Sequence, residues 1–109
     1  MEPEGCPCLH DAFAAGRPVD SAVTSVAASA TGATRVGAIP FAILASHEVT
    51  SVLVTDEQIV QARDLLWEEC RIAAEPAAAA PFAAWLAGLV TGDLPCLVIC
   101  GANTDWRAE

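Results

Sequence analysis

Lysine and tyrosine are absent from the 109-residue chain, and arginine supplies all five of its basic side chains. Fourteen carboxylates oppose these arginines, so the formal net charge is −9. Such a chain has no basic stripe that could displace counterions from nucleic-acid phosphates, and no attraction to an anionic membrane surface. The missing amine also excludes any chemistry in which a lysine of this chain forms a Schiff base.

Long hydrophobic runs are absent as well. The longest stretch without formal charge, residues 76–92, is alanine-rich, holds two prolines and falls short of the roughly 20 apolar residues of a membrane span. Residues 1–4 are acidic where a secretory signal needs basic residues, so we expect a cytoplasmic protein. Its five cysteines, an odd number, are then expected to be reduced thiols, and their spacing does not match a zinc ribbon.

Branched aliphatic residues are plentiful, with 10 valines, 9 leucines and 5 isoleucines. They predict one small folded domain rather than a disordered chain. A strand is predicted over residues 49–54, followed by a helix over residues 56–70. Thr55 and Gln58 have the spacing of a capping box at the start of that helix, and Ile59, Ala62 and Leu66 recur at helical spacing within it.

Further elements are predicted on both sides of this helix. The Glu75–Pro76 pair is expected to end regular structure, and a second helix is expected through residues 82–89, with Pro81 tolerated only in its first turn. The continuous apolar run of residues 96–100 is typical of a strand buried on both faces. Weaker patterns predict a helix over residues 9–15, an irregular connection over residues 19–34, and a short helix over residues 37–47 that is broken near Pro40.

This order of elements predicts an α/β fold, with part of a parallel sheet covered by flanking helices. A strand buried on both faces needs neighbours at both edges, and the rest of the chain does not supply them. Two explanations follow: strong oligomerisation, or a chain that is one piece of a larger domain.

Three places have residue types suited to chemistry. The loop of residues 100–105 follows the last predicted strand, where open α/β sheets bind ligands, but asparagine and aspartate also close ordinary turns. Glu75 lies between apolar segments and is either a partly buried carboxyl or a helix cap. At the amino terminus, two acids near two thiols could hold a cation, although a frayed, solvated terminus is the simpler interpretation.

Four motifs together resemble those of the pyridoxal-phosphate-dependent serine/threonine dehydratases, whose fold type II also includes serine racemase. They are Glu2-Pro3-Glu4-Gly5, Val54-Thr55-Asp56-Glu57-Gln58-Ile59, Glu75-Pro76-Ala77-Ala78-Ala79 and Cys100-Gly101-Ala102-Asn103-Thr104-Asp105. The resemblance covers nearly the whole chain and corresponds to the carboxy-terminal part of the family's catalytic domain.

The resemblance implies roles for single residues. Cys100 matches the Ser or Cys that hydrogen-bonds the pyridine nitrogen of pyridoxal phosphate. Gly101, Ala102 and Asn103 match the loop beside that ring. Glu75 matches the glutamate of the family's Glu-Pro motif near the ring. The remaining matches concern a divalent cation: Glu2 matches a metal ligand, Cys6 offers a backbone carbonyl, and Cys8 stands where metal-binding relatives have an aspartate.

The family's Schiff-base lysine, substrate-carboxylate loop and glycine-rich phosphate loop have no counterpart in this sequence. Residues 1–109 are therefore expected to be an incomplete catalytic domain, a fragment or split part of a threonine/serine dehydratase that is inactive alone. The implied partner is the missing amino-terminal half or a full-length relative, in a homo- or hetero-oligomer. A non-catalytic assembly module that pairs with such a relative is the main alternative, and a thiol redox or metal protein using Cys6 and Cys8 is another.

Overall fold

A computed structural model describes residues 1–104. In chain order it contains strand β1 (Glu2–Pro3), helices α1 (Cys8–Ala15), α2 (Ala28–Thr31) and α3 (Ala38–Ala45), strand β2 (Leu53–Val54), and helices α4 (Asp56–Cys70) and α5 (Pro76–Leu86). The fold class is as predicted, since a parallel sheet is flanked by helices. None of the helices in residues 1–104 combines the length and hydropathy needed to cross a bilayer.

The parallel sheet consists of β1 and β2, whereas the sequence predicts strands over residues 49–54 and 96–100. β1 pairs with β2 in parallel, with Glu2 opposite Leu53 and Pro3 opposite Val54. The Glu2 N–H donates to the Val52 carbonyl at 3.0 Å and the Glu4 N–H to the Val54 carbonyl at 2.9 Å. The amino terminus is therefore anchored in the sheet, and the interpretation of a frayed, solvated end is wrong.

Residues 96–100 form no strand, so the prediction of a strand buried on both faces is wrong. Cys96, Val98 and Cys100 are exposed, and only Leu97 and Ile99 are partly covered. An apolar run predicts that the side chains of a segment are buried, but a strand also needs a neighbouring strand to which its backbone can hydrogen-bond. In residues 1–104 no such neighbour lies beside this segment.

α4 has the predicted bounds because its signals are local. The Thr55 hydroxyl accepts from the Gln58 N–H at 3.2 Å, and the Gln58 side chain accepts from the Thr55 N–H at 2.9 Å. This reciprocal pair satisfies two donors that the first turn leaves without helical partners. The chain leaves the helix at Arg71, which takes the left-handed conformation with φ of 56°.

Prolines lie at three informative helix positions. α5 begins at Pro76, where a missing N–H costs nothing, so Pro81 lies inside the helix rather than in its first turn. Because Pro81 has no N–H, it cannot make the helical hydrogen bond to the carbonyl of residue 77. α3 runs unbroken, because Pro40 lies within its first turn. The predicted start of the second helix and the predicted break near Pro40 are both wrong.

The core lies between α4 and α5. Ile59, Ala62 and Leu66 of α4 pack with five buried alanines of α5 and with Val54 of β2. The alanines let the two helix backbones approach closely, since their side chains end at Cβ. This packing places the first residues of α5 beside the segment that ends at Gly101, where the candidate site lies.

Candidate functional site

Glu75 and Gly101 are in direct contact. The Glu75 backbone N–H donates to the Gly101 carbonyl at 3.1 Å, and the Glu75 carboxylate lies against the Gly101 α-carbon. A Cβ atom at residue 101 would overlap the Glu75 Oε1 atom, so only glycine leaves this carboxylate where it is. The structure thus joins two predicted site residues that are far apart in the sequence.

The Glu75 side chain does not act as a helix cap. Residue 75 occupies the N-cap position of α5, but its side chain makes no capping hydrogen bond. Its carboxylate, half-buried, points instead toward the loop that begins at Cys100. Of the two interpretations, the structure favours the partly buried carboxyl.

The rest of the candidate loop is open to solvent. Cys100, Ala102 and Asn103 are exposed, and the Thr104 N–H donates to the Ala102 carbonyl at 2.9 Å in a tight turn. Asp105, the last residue of the predicted loop, lies outside the described residues. The thiol of Cys100 and the amide of Asn103 are therefore open to solvent on either side of Gly101 in the sequence, and Gly101 is the residue that the Glu75 carboxylate contacts.

Glu2, a predicted metal ligand, binds backbone donors. Its Oε1 accepts from the Leu9 N–H at 2.9 Å and its Oε2 from the His10 N–H at 2.8 Å. Both oxygens thus satisfy first-turn donors of α1, and the carboxylate also complements the positive end of the helix. The fold uses Glu2 to join β1 to α1.

The predicted cation at Glu2 and Cys6 stays a prediction. Cys6 is 1 % exposed, and its N–H donates to the Pro3 carbonyl at 3.0 Å. Across residues 1–104, no three His, Cys, Asp or Glu side chains converge as metal ligands would. The predicted cation at Glu2 and Cys6 thus has no ligand cluster in the described structure.

Replacing Glu2 with alanine should destabilise the fold by about 1–2 kcal/mol, as the loss of a helix cap typically does. The free energy of unfolding from urea titrations measures the effect. Glu4→Ala is the matched control, since Glu4 is an exposed acid on the same segment and should change stability by less than about 0.5 kcal/mol. Equal effects at both positions would contradict the capping role.

The Cys8 thiol has a raised pKa. Burial is the largest cause, and the charge of Glu2 together with a hydrogen bond to it adds to the effect. Because the thiolate is the nucleophile, Cys8 should react slowly with alkylating reagents. The order of alkylation, read by mass spectrometry, should place the exposed thiols of Cys70, Cys96 and Cys100 ahead of Cys8.

The raised pKa of Cys8 also predicts a pH dependence of stability. The folded state holds this proton more tightly than the unfolded state, so the stabilisation is complete below the ordinary thiol pKa of 9.0 and is lost as the pH rises beyond it. Cys8→Ala should remove this part of the alkaline loss, whereas Cys70→Ala should not. Identical alkaline profiles for Cys8→Ala and the unaltered chain would contradict the assignment.

Two polar contacts have no counterpart among the predictions from the sequence. The Ser25 hydroxyl donates to the Asp56 carboxylate at 2.6 Å, and the Val26 N–H donates to its other oxygen at 3.0 Å. His10 Nδ1 lies 3.0 Å from the Ser51 hydroxyl. These pairs span 31 and 41 residues, so no local spacing could have indicated them. Both link loops to helix starts.

An open acidic cleft of about 770 Å³ lies along α4, away from the candidate loop. Carboxylates of Asp56, Glu57, Asp64 and Glu68 surround its apolar floor. Asp56 is already bound by the loop before α2, and neither Glu75 nor residues 100–103 line the cleft. None of the site residues predicted from the sequence therefore lines this cleft.

Comparison with known proteins identifies the family. The sequence profile of the pyridoxal-phosphate dependent enzymes matches residues 1–101. The chain belongs to this family. It is 30% identical over 108 residues to phenylserine dehydratase of Ralstonia pickettii, covering 96% of this chain and 33% of that protein. The chain thus spans about a third of the length of the curated relative it matches.

Several solved structures share the fold of this chain. The T.th. threonine deaminase superposes with a TM-score of 0.86 at 26% identity, over 97% of this chain and 39% of that one. Serine racemase from Dictyostelium discoideum gives 0.73 at 23% identity, over 95% of this chain and 34% of that one. Maize serine racemase gives 0.71 at 24% identity, over 78% and 26% of the two chains. The fold type II assignment is confirmed.

The residues at the Glu75–Gly101 contact fit one side of pyridoxal phosphate. The cofactor's ring carries a basic nitrogen and a phenolic oxygen, which suit a thiol and an amide as hydrogen-bond partners. Cys100 and Asn103 present those groups in the open, and Gly101 has no side chain that would stand between them and Glu75. The chain has no lysine to attach the cofactor covalently. The residues of this chain therefore fit the edge of the cofactor ring and do not provide its covalent attachment.

Proposed function

We propose that this chain forms one wall of the pyridoxal-phosphate site in a dehydratase of L-threonine or L-serine. Membership of the family supports the cofactor, and the likeness to phenylserine dehydratase and threonine deaminase supports an amino acid with a β-hydroxyl as substrate. The observation that carries the proposal is the contact between the Glu75 carboxylate and Gly101, beside the exposed Cys100 and Asn103.

In this proposal each residue has a positional task. The Cys100 thiol is the hydrogen-bond partner of the ring nitrogen, and Gly101 and Ala102 let the loop backbone approach the ring edge. Glu75, fixed by its backbone bond to Gly101, holds a carboxylate near the ring. Bound pyridoxal phosphate would supply electron withdrawal from the α-carbon of the amino acid, so that water is eliminated and a 2-oxo acid and ammonia are released.

The proposal includes a division of labour between polypeptides. This chain provides the wall near the ring, and a partner carrying the amino-terminal part of the domain provides the lysine and the phosphate-binding loop. The chain alone is then an incomplete, inactive part of the enzyme. We also propose a cytoplasmic location, where the five unpaired cysteines would stay reduced.

The first test uses the purified 109-residue chain with pyridoxal phosphate and L-threonine. We expect no 2-oxobutanoate, and no pyridoxyl group fixed to a side chain by borohydride, because no side-chain amine is present. Peptide mapping separates a side-chain adduct from one on the terminal α-amino group. Steady formation of 2-oxobutanoate by the pure chain would overturn the proposed division of labour.

A non-catalytic assembly module is the second candidate. Leu94 is 95% exposed and Val98 is 66% exposed, and apolar side chains this open favour a surface that another protein covers. Mixing the chain with full-length phenylserine dehydratase separates the two candidates. The assembly module would be favoured if the chain co-eluted with that enzyme in gel filtration while replacement of Cys100 or Glu75 left the dehydratase activity of the mixture unchanged.

A further inference from the structure

A second stripe of side chains on α4, the outer stripe, does not pack on the core. It runs from Glu57 to Glu68 at helical spacing and lines the open cleft of about 770 Å³. The core stripe of the same helix contains the buried side chains Ile59, Ala62 and Leu66. The members of the outer stripe are Glu57, Val60, Gln61, Asp64, Leu65 and Glu68.

The cleft has an apolar floor and a fixed wall. Val60 and Leu65 are partly exposed on α4, and Val26 is 48% exposed on the loop before α2. The Val26 N–H donates to the Asp56 carboxylate at 3.0 Å, which ties this loop to the first turn of α4. The outer stripe rises about 16 Å along the helix, the length of about three turns of a second helix.

The negative charge of the outer stripe is not balanced by the described residues. Asp64 pairs with Arg63 at 2.8 Å, but neither Glu57 nor Glu68 has a cationic partner within residues 1–104. Asp64 and Glu68 are one helical turn apart, a spacing at which like charges repel. Glu68 also lies in the last turn of α4, which has no basic residue to complement the negative end of the helix. A cationic group in the cleft would relieve both repulsions.

We propose that this cleft is a docking groove for a basic amphipathic helix of another protein. Aliphatic side chains of that helix would pack on the floor formed by Val60 and Leu65, and its lysines or arginines would face Glu57 and Glu68 near the two ends of the groove. The inference is independent of the proposed function, because neither Glu75 nor the loop after residue 100 lines the cleft.

Charge selects a partner that is not this chain. The chain has no lysine, and its two nearest arginines, Arg63 and Arg71, are eight residues apart, so it contains no basic amphipathic helix of its own. A second copy would bring two net charges of −9 together, which opposes self-association. The occupant that complements the groove is therefore a cationic segment of a different protein.

The test titrates the 109-residue chain with a helical peptide of about 15 residues, made of lysine and leucine with the leucines on one face. One comparison peptide has glutamate for each lysine, and another has serine for each leucine. Fluorescence anisotropy of the labelled peptides at low salt measures the affinities. The lysine–leucine peptide should bind at least about tenfold more tightly than either comparison peptide. Equal affinity for any comparison peptide would contradict the proposal.

Paired charge variants show whether the peptide recognises the cleft or only the net charge. Glu57→Gln combined with Glu68→Gln should weaken binding by about five- to tenfold. Glu4→Gln combined with Glu48→Gln removes the same charge from exposed positions outside the cleft, and should weaken binding by less than about twofold. If the two double variants lost affinity equally, the attraction would be non-specific and the proposal would fail.

A variant of the floor tests the apolar contact. Val60→Asn should weaken binding by about fivefold, because it places a polar group under the leucines of the peptide. Val98→Asn is the matched control at an exposed valine that does not line the cleft, and it should leave the affinity unchanged. Circular dichroism checks that both variants keep their helices. Unchanged affinity of Val60→Asn, with its helices intact, would count against the proposed floor.

Amide chemical shifts of the isotope-labelled chain show which surface the peptide covers. The largest changes are expected over residues 57–68. The competing surface is α3, an apolar helix without a buried side chain, and changes concentrated there would mean that exposed apolar surface captures the peptide instead. That result would overturn the proposal. So would a doubled mass of the chain alone in sedimentation that the cleft variants abolish, because a second copy would then be the occupant.

Discussion

Ile59→Ala is expected to lower the free energy of unfolding by about 2–5 kcal/mol, a large part of the 5–15 kcal/mol typical of a whole domain. Ile59 is fully buried and heads the set of largest fully buried side chains among the described residues. Its neighbours in α5 are mostly alanines, whose side chains are too short to fill the space left behind. The cavity should therefore persist, and we expect the loss in free energy of unfolding to lie in the upper part of this range.

Urea denaturation followed by far-UV circular dichroism measures this effect. Ile39→Ala is the matched control, because it is the same substitution in another helix at a side chain that is 75% exposed. It should change stability by less than about 0.5 kcal/mol. If both variants lost similar stability, the packing of α4 on α5 would not be the main source of the fold's stability.

The parts of the fold that the sequence predicts correctly depend on local chemistry. α4 begins and ends where the sequence indicates, since a capping box and a helical stripe lie within consecutive turns. The parallel sheet with flanking helices also follows from the order of the elements. The predicted start of α5 is too late in the sequence, because its alanine tract has no periodic stripe and Pro76 begins the helix instead of ending regular structure.

Other errors concern contacts between separate segments. An apolar run indicates burial but not which backbone will pair with it, which is why the strand prediction for residues 96–100 fails. β1 has only two residues, one of them proline, and no local pattern predicts that it pairs with Leu53 and Val54. The role of Glu2 escapes prediction for the same reason, since its carboxylate accepts from N–H groups seven and eight residues later.

The sequence predicts the candidate site in part. From the residues alone, Glu75 and the loop after residue 100 are separate possibilities, and only the resemblance to the dehydratases predicts a common cofactor. The structure brings Glu75 to Gly101 through α5, whose first residue follows Glu75 directly. The residue pattern alone could not place Glu75 and Gly101 together, because their contact joins two segments that are far apart in the sequence.

Gly101→Ala is expected to reduce dehydratase activity by about 100-fold in the complex with the amino-terminal part of the domain, as displacement of a positioned group by about 1 Å can do. The added methyl group would occupy the place of the Glu75 Oε1 atom and push the carboxylate away. Stability should change little, because the displaced atom is the end of a flexible side chain.

The double variant tests this explanation. If Gly101→Ala acts only by moving Glu75, then adding it to Glu75→Ala should cause little further loss of kcat/KM, and the cycle should be strongly non-additive. Gly37→Ala is the control, since its methyl group would meet only the Pro40 ring, at 3.2 Å, and activity should be retained. Additive losses would mean that Gly101 contacts the cofactor through its own backbone. The two residues would then act independently, and displacement of Glu75 would not explain the effect of Gly101→Ala.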